Sequence, residues 1–323
     1  MTTTTPPAAP PGRIKAKQRP GDRIFSGTAV GAGIIILLVL AAVAVFLVGQ
    51  SLPAFKPDTS DNHILNGQSF WTWVWPFIFG TLWASALALV MAAPVAIGIA
   101  LFISHYAPRR LAATLGYVID LLAAVPSVVF GLWGGLVFSQ ILKPFYAWLN
   151  STLGQAPVLE LFFGGQVSAT GRTILTAALV LAVMILPIMT AICREVFLQT
   201  PKLHEEAALA LGATRWEMIR MAVLPFARGG IVSGAMLGLG RALGETMAVT
   251  MVLSPSTVVS FLLMTADNPT PIPANIALRF PEAHGEGVNT LIATGLILFV
   301  VTFAVNAVAR WVVARRAEFS GAN

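Results

Sequence analysis

Six long apolar stretches constrain this chain more than any other feature of its sequence. Each reaches about 20 residues, the length that an α-helix needs to cross the hydrocarbon core of a bilayer. Only 11% of the 323 residues are charged, whereas a soluble domain carries about a quarter. The sequence therefore predicts an all-α polytopic membrane protein with about six transmembrane helices. The predicted spans are Gly27–Val48, Trp75–Ser104, Thr114–Phe138, Thr173–Cys193, Ile231–Leu253 and Leu291–Val313.

The two ends of the chain differ in composition from the predicted transmembrane domain, residues 27–313. Residues 1–26 are rich in Thr, Pro and Ala and then basic, and their small apolar content predicts a disordered cytoplasmic tail. Gly27–Val48 is longer than the core of a cleaved signal peptide and lacks a clear small-residue cleavage site, so we expect it to remain as the first span. Residues 314–323 are predicted to form a second cytoplasmic tail.

Lysine and arginine are distributed unequally between the two sides of the predicted membrane protein. With both termini on one side, that side holds fifteen of the 20 basic residues and the other side holds four, while Arg241 lies within a span. Because cytoplasmic loops carry such an excess, both termini are predicted to be cytoplasmic. The same bias explains most of the net charge of +6, so no nucleic-acid partner is expected. The opposite side holds loops 51–70, 139–172 and 255–288, which are long enough to bind an external partner.

Two ionisable residues, Arg241 and Glu245, lie four positions apart in the fifth apolar stretch. On a continuous helix they would share one face, about 6 Å apart along its axis. Ionisable groups at this depth usually face a bundle interior or a wet cavity and mark a transport pathway. A guanidinium can bind two oxygens of an oxyanion, while the carboxylate would neutralise it at rest and repel the anion. The alternative is a structural ion pair between helices.

The third apolar stretch contains Pro126 and Ser127 near its middle. Proline there can break the helix beside a cavity, and the Ser127 hydroxyl would then donate to an oxyanion. The alternative is a packing kink in which the serine bonds its own backbone. Close packing between helices is the first interpretation of six glycines in the third and fifth stretches. They are Gly131, Gly134, Gly135, Gly234, Gly238 and Gly240.

Residues 200–225 form the most informative segment outside the apolar stretches. Thr200-Pro201 predicts a helix start, and Gly212 predicts a break after it. A second amphipathic piece should then end before Pro225. Two short helices joined at a glycine make a rigid elbow that can sit in a cleft of another protein. No HExxH, CxxC, GxSxG or Walker A motif is present, so this chain is not expected to be an enzyme.

The elbow resembles the EAA loop of bacterial ABC-importer permeases in its Glu206-Ala207-Ala208, Gly212 and Leu224-Pro225. Ala222 departs from the isoleucine that is usual two residues before the Leu-Pro pair. The resemblance implies a type I ABC-importer permease fold with a cytoplasmic coupling helix that docks on a separate ATPase. It assigns the coupling role to Glu206, Ala207, Ala208 and Gly212.

Two further segments, Gly240–Thr246 and Pro126–Gly134, look like signatures of phosphate-specific permeases of the PstC-like type. This resemblance implies the permease subunit of an ATP-driven importer of inorganic phosphate in the bacterial plasma (inner) membrane. It assigns the substrate pathway to Arg241, Glu245, Ser127 and Thr246. The implied partners are a second, PstA-like permease, a PstB-like ATPase dimer and a PstS-like extracytoplasmic binding protein. No cofactor is expected on this chain, whereas ATP and Mg²⁺ are expected on the ATPase.

Two other functions fit part of the sequence. A permease for another oxyanion, sulfate or molybdate, would need the same buried arginine, so the choice of phosphate depends on the two signatures. A self-sufficient secondary transporter or anion channel would also allow six spans and a buried Arg/Glu pair. Secondary transporters often contain repeated halves with broken helices. No repeat is evident here, and the elbow would have no purpose in such a protein.

Overall fold

The computed structural model describes residues 20–56 and 62–317, and these residues are mostly helical. Six helical segments are long and apolar enough to cross a membrane, as the sequence predicts: Gly21–Phe55, Phe70–Tyr106, Ser127–Leu153, Ile174–Leu198, Arg215–Gly244 and Glu286–Trp311. The α-helices are α1 (Pro20–Ser51), α2 (Phe70–Leu101), α3 (Arg109–Ala123), α4 (Ser127–Trp133), α5 (Ser139–Leu153), α6 (Glu160–Phe163), α7 (Ile174–Leu198), α8 (Lys202–Ala210), α9 (Arg215–Met218), α10 (Leu224–Leu243), α11 (Met247–Val252), α12 (Ile272–Arg279) and α13 (Glu286–Ala317).

Shorter elements complete the described chain. The 3-10 turns are Leu52–Phe55 and Phe280–Glu282, and the π-helical turns are Phe102–Tyr106, Gly134–Phe138 and Ile219–Val223. Two strands of two residues each, β1 (Pro255–Ser256) and β2 (Asn268–Pro269), pair in parallel, with Pro255 opposite Asn268. They close a loop, residues 253–271, that is otherwise irregular.

Both ends of the transmembrane domain extend further than the sequence predicts. The chain divides into two compact units, one ending at Gly49 and the other beginning at Gln50. In the first unit α1 begins at Pro20, so residues 20–26 are helical and do not belong to the predicted tail. Proline suits the first turn of a helix, and Asp22 there complements the helix dipole. At the other end α13 continues to Ala317. The rest of the two predicted tails, residues 1–19 and 318–323, lies outside the described residues.

The core of the larger unit forms where α2, α7 and α10 pack together. Helix α2 buries an alanine at every fourth position from residue 84 to residue 100, each at most 2% exposed. Residues four apart lie on one face of a helix, and small side chains there let a neighbouring backbone approach closely. Helix α7 contacts this face and is the most enclosed of the six candidate spans, with Ile185 and Met189 fully buried. Close backbone packing therefore holds the bundle together.

The third span lies further along the chain than the predicted Thr114–Phe138. Helix α3 is a separate amphipathic helix that exposes Tyr117 and Asp120, and it ends before Pro126 because proline disfavours a helical residue in front of it. The span itself is Ser127–Leu153. Pro126 and Ser127 therefore stand at its start, and not in its middle. Residues 139–153, which we predicted to belong to an outer loop, are part of the span.

The fifth span is also displaced from its predicted position, Ile231–Leu253. One continuous helical segment runs from Arg215 to Gly244, so the predicted end of the elbow before Pro225 is wrong. The π turn at Ile219–Val223 precedes Pro225, which lies in the first turn of α10. A π turn changes the hydrogen-bond register, which accommodates the missing N–H and the steric demand of proline. The apolar residues after Gly244 form the separate short helix α11.

The 253–271 loop is anchored to two of the core helices. Asn268 accepts a hydrogen bond from the backbone N–H of Ile174 at 2.9 Å and donates to the carbonyl of Leu262 at 2.7 Å. At the end of the loop, the N–H of Ile272 donates to Thr81 Oγ1 on α2 at 2.9 Å. These bonds satisfy buried polar groups that irregular backbone would otherwise leave unpaired. The loop is therefore part of the packed structure.

Candidate functional site

Arg241 and Glu245 lie on opposite sides of a helix break. Helix α10 ends at Leu243, with Arg241 in its last turn, and α11 begins at Met247. The prediction that both residues share one helix face is therefore wrong. Gly244 is the residue that directly follows the last turn of α10, and its N–H bonds to the carbonyl of Gly240 at 3.3 Å. Among residues 20–56 and 62–317, no ion pair joins the two charges.

Each of the two charges is instead stabilised by its own helix terminus. The cationic Arg241 lies at the C-terminal end of α10, where the helix dipole is negative. Glu245 is 9% exposed, and its Oε1 accepts a hydrogen bond from the backbone N–H of Ala248 at 3.0 Å. The carboxylate therefore caps the positive end of α11. This arrangement holds both charges without neutralising either one against the other.

Arg241 lines a cleft of about 970 Å³ between α7, α10 and α13. Most of the cleft wall is apolar, but Ser233, Asn306 and Arg310 line it as well. The guanidinium is partly buried and forms no hydrogen bond or ion pair with the part of the chain that the structure describes. Its planar set of donors thus remains available to an anion, and the apolar wall strengthens such an interaction. Sequence reasoning missed the three other polar residues because they are scattered over two helices.

Glycines bring α10 close enough to α7 to form this cleft. A Cβ atom on Gly230 would lie 2.3 Å from Val196 Cγ2, and one on Gly238 would lie 3.0 Å from Met189 Cγ. Gly234 lies between them on the same face, 3.3 Å from Ile192 by the same measure. The predicted close-packing role is confirmed for Gly234 and Gly238. It is wrong for Gly240, which has open space beside it and lines the cleft.

Helix α11, which follows the signature segment Gly240–Thr246, packs against the helix that contains the other signature segment. A Cβ on Gly131 of α4 would lie 2.8 Å from Ala248 Cα of α11, and one on Gly135 would lie 2.5 Å from the carbonyl oxygen of Met251. A Cβ on Gly134 would lie 2.6 Å from Val180 Cγ2 of α7, so all three glycines of the third stretch are close-packing positions, as predicted. The segment that follows Glu245 therefore packs against the helix that Ser127 begins.

The two remaining predicted pathway residues are not among those that line the Arg241 cleft. Ser127 is partly buried at the first position of α4. Thr246 precedes α11, and its hydroxyl donates to the carbonyl of Gly244 at 3.3 Å. The structure thus places Arg241 on the cleft, whereas Ser127, Glu245 and Thr246 are not among the residues that line it. Their roles in transport stay predictions.

The elbow is a rigid connection between α8 and α9. Gly212 follows α8 with φ of +85°, a left-handed conformation that glycine adopts at little cost. The N–H of Ala213 bonds to the carbonyl of Ala208, and that of Gly212 to the carbonyl of Leu209, which is a Schellman motif. Two residues later, Thr214 and Glu217 form a capping box that starts α9. The predicted break at Gly212 is confirmed, and both helix ends beside it are fastened.

The predicted coupling residues divide between two faces of α8. Glu206 and Ala207 are exposed, whereas Ala208 is partly buried and packs against a cluster of buried apolar residues. Near them three large apolar side chains are exposed: Leu203 (76%), Leu211 (90%) and Trp216 (55%). Exposed apolar groups grouped in this way mark an interaction surface. Sequence reasoning missed Leu203 and Leu211, because the helical period alone did not show which face of α8 is free.

Together these features define a class of protein: a multi-pass helical membrane permease with a cation on a cleft and a rigid elbow outside the bundle. The fold is similar to that of a chain in a bacterial alginate ABC transporter solved in complex with a periplasmic protein that binds an alginate pentasaccharide. The TM-score is 0.54 at 18% identity, covering 90% of this chain and 96% of that one. A second structure of a bacterial ABC transporter that imports alginate gives 0.52. The chain therefore has the ABC-importer permease fold.

Sequence comparison defines the family. The profile of the binding-protein-dependent transport system inner membrane component matches residues 94–318, and the chain belongs to this family. It is 45% identical to the phosphate transport system permease protein PstC 2 of Mycobacterium tuberculosis, covering 95% of this chain and 97% of that protein. It is 43% identical to PstC of Mycobacterium leprae, covering 90% and 92%, and 39% identical to PstC of Mesorhizobium japonicum, covering 93% and 92%.

Proposed function

We propose that this chain is a transmembrane permease subunit of an ATP-driven importer of inorganic phosphate. The observation that carries the proposal is Arg241, a partly buried cation on a cleft within the span bundle that has no counter-ion among the described residues. A charge in that position is costly unless an anion or water meets it. The relatives that match over nine-tenths or more of this chain are phosphate transport permeases by name, which supports phosphate as that anion.

The proposed assembly contains a second permease, an ATPase dimer that binds ATP and Mg²⁺, and an extracytoplasmic phosphate-binding protein. The exposed face of the elbow, with Glu206, Leu211 and Trp216, suits docking on the ATPase. An apolar face of this kind fits a groove on a partner. The assembly lies in the bacterial plasma membrane with both termini of this chain in the cytoplasm, as the distribution of basic residues indicates. This chain breaks no bond, and the energy comes from the ATPase.

Phosphate moves, in this proposal, by way of Arg241. The guanidinium offers paired N–H donors to two phosphate oxygens, while the second permease supplies the facing wall. Glu245 lies just beyond the end of α10, where its Oε1 accepts the hydrogen bond from the Ala248 N–H. Its charge disfavours a long stay of the anion, so binding is weak enough for release. Alternating exposure of this point to the two sides of the membrane completes the cycle.

Uptake of radiolabelled phosphate by the reconstituted complex tests the proposal. We expect Arg241→Ala to reduce uptake to background while the complex still assembles, because the anion loses its fixed cation on this wall of the pathway. Arg228→Ala is the matched control, because it removes the same charge from an exposed position of the same helix. Uptake that survives Arg241→Ala would exclude the pathway role. Competition by excess sulfate or molybdate, stronger than by phosphate, would identify a different oxyanion as substrate.

A further inference from the structure

The coupling elbow contacts a span that is remote from it in sequence. After α2, the π turn at Phe102–Tyr106 places His105 against the first turn of α8. His105 Nε2 lies 3.7 Å from Glu205 Oε1, and the two side chains are only 9% and 24% exposed. The elbow thus contacts span two as well as spans four and five, which flank it in the chain.

The hydrogen bonds around His105 fix the orientation of its ring. The Ser104 hydroxyl donates its hydrogen to the carbonyl of Ala100 at 2.8 Å. The same oxygen lies 2.7 Å from His105 Nδ1, and the hydrogen bond between these two atoms holds the ring in place. Nε2 is then left to face the carboxylate of Glu205. The contact is attractive when both ring nitrogens carry hydrogen, which makes it an ion pair.

The His105–Glu205 contact lies in a small polar cleft of about 260 Å³. Arg215 also lines the cleft, but within the described chain it forms no ion pair with Glu205. Partial burial weakens the screening of the His105–Glu205 attraction by water and salt. In the described residues, His105 is thus the one basic side chain within salt-bridge distance of Glu205.

Apolar packing supports the same connection. One cluster of buried side chains joins the end of α2 to α7, to the elbow and to the start of α10: Ala100, Leu101, Cys193, Phe197, Met218, Ile219, Val223 and Ala227. Closely packed interiors shift between discrete arrangements and do not deform continuously. A displacement of the elbow therefore reaches the end of α2 directly, and the polar pair ties α8 to it.

The other part of α2 holds the 253–271 loop. A Cβ on Gly80 would lie 2.5 Å from the carbonyl oxygen of Pro269, and Thr81 accepts the hydrogen bond from Ile272 described above. Helix α2 has 32 residues, which at 1.5 Å per residue is about 48 Å. One helix thus connects the elbow to a loop that the sequence places on the opposite side of the membrane.

We propose that span two is a second output of the coupling elbow, held to it by the His105–Glu205 pair. Movement of α8 displaces the end of α2, and α2 carries the displacement to the 253–271 loop. His105 and Glu205 are positioning residues, since neither touches a substrate. The inference rests on the proposed function to the extent that an ATPase moves α8.

Hydrogen exchange in the assembled complex, with and without a non-hydrolysable ATP analogue, tests this proposal without any use of phosphate. In the wild type, we expect nucleotide to change exchange in α8, in residues 102–106 and in residues 268–272. In His105→Ala and Glu205→Gln, the change in α8 should remain, while the changes in the other two segments fall by about fivefold or more, a typical size for coupling between sites. Asp120→Asn is the control, because it alters an exposed acid on α3.

A double variant distinguishes a specific pair from general loosening. If the two residues act as one contact, the double variant has no larger effect than either single variant. His105→Arg puts a permanent cation within reach of Glu205 and should preserve most of the response. The proposal is overturned if residues 102–106 do not respond to nucleotide in the wild type, or respond equally in the variants. Failure of phosphate uptake in the wild type would instead contradict the proposed function and leave this measurement valid.

Discussion

Arg241 and Glu245 show how a membrane protein can hold two charges without pairing them. Each lies at the helix end whose dipole has the opposite sign, and such positions lower the free energy of a partly buried charge. A mutual ion pair would neutralise the guanidinium to which, in the proposed function, the anion binds. The helix break at residues 244–246 separates the two charges, so that Arg241 lies on the cleft without Glu245 beside it on the same helix.

Substitutions at Glu245 should separate capping from charge. Glu245→Ala removes the acceptor for the Ala248 N–H, and we expect a loss of about 1 kcal/mol, as for other helix caps. Glu245→Gln keeps an oxygen that can accept this bond, so thermal unfolding of the purified complex should stay close to that of the wild type. Phosphate uptake by Glu245→Gln then reports the role of the charge alone. Equal destabilisation by both substitutions would contradict the capping role.

At the scale of single residues, the sequence identified Arg241 as a candidate but did not predict its environment. An arginine in an apolar stretch is conspicuous in any sequence. Its distance from Glu245 depended on whether the helix continued through Gly244, and the high hydropathy of the following residues hid the break. Asn306 and Arg310 line the same cleft from α13, and no local pattern joins residues that lie so far from Arg241 in the chain.

At the scale of helices, backbone contact between α7 and α10 depends on particular glycines. Gly230→Ala would place a methyl group 2.3 Å from Val196 Cγ2, and we expect a clear loss of thermal stability, of about 1–3 kcal/mol as in other overpacked cores. Its neighbour provides the control. A Cβ on Gly229 would meet no neighbouring atom within 4 Å, so Gly229→Ala should be neutral or stabilising because alanine favours helix.

Thermal unfolding of the two variants in the same detergent measures this difference. Because 229 and 230 are adjacent on one helix, propensity and membrane depth are nearly matched. If both substitutions had the same effect, close packing of α10 on α7 would not be what holds Arg241 in place.

The elbow depends on the left-handed backbone at Gly212. Gly212→Ala should cost about 1–2 kcal/mol, because other L-residues pay that amount in this conformation, whereas Gly212→Asn should be tolerated better. We expect the alanine variant to retain less ATPase on co-purification, or to hydrolyse more ATP per phosphate imported.

Glu206→Ala should weaken ATPase retention without lowering thermal stability, because Glu206 is exposed. Wild-type behaviour of both variants in both measurements would exclude the coupling role of the elbow.

At the scale of the whole molecule, the described residues form apolar faces that no other part of this chain covers. Large apolar side chains are exposed on the elbow, as well as along the spans that lipid would contact. We therefore expect an affinity tag on this chain to co-purify a Walker-type ATPase and a second permease from membranes in mild detergent. Gel filtration and mass spectrometry of the purified complex would identify them. Recovery of this chain alone, active in phosphate uptake, would favour a self-sufficient transporter instead.

Local sequence determined much of this protein. Six apolar stretches predict six spans, because the bilayer requires each crossing segment to be apolar and to satisfy its own backbone hydrogen bonds. The turn at Gly212 was equally predictable, since a left-handed helix cap selects for glycine. These features depend on residues that are close together in the chain.

Only the tertiary structure decided where the third and fifth spans break and which side chains meet. Residues 114–138 and 231–253 are apolar on both sides of each break, so hydropathy does not locate the break, and proline and glycine mark it ambiguously. The contact between His105 and Glu205 joins residues that are one hundred positions apart. It arises from the packing of α2, α7 and the elbow, which no local pattern encodes. The sequence thus determined the membrane class and its elements, and packing determined the cleft and the contacts around it.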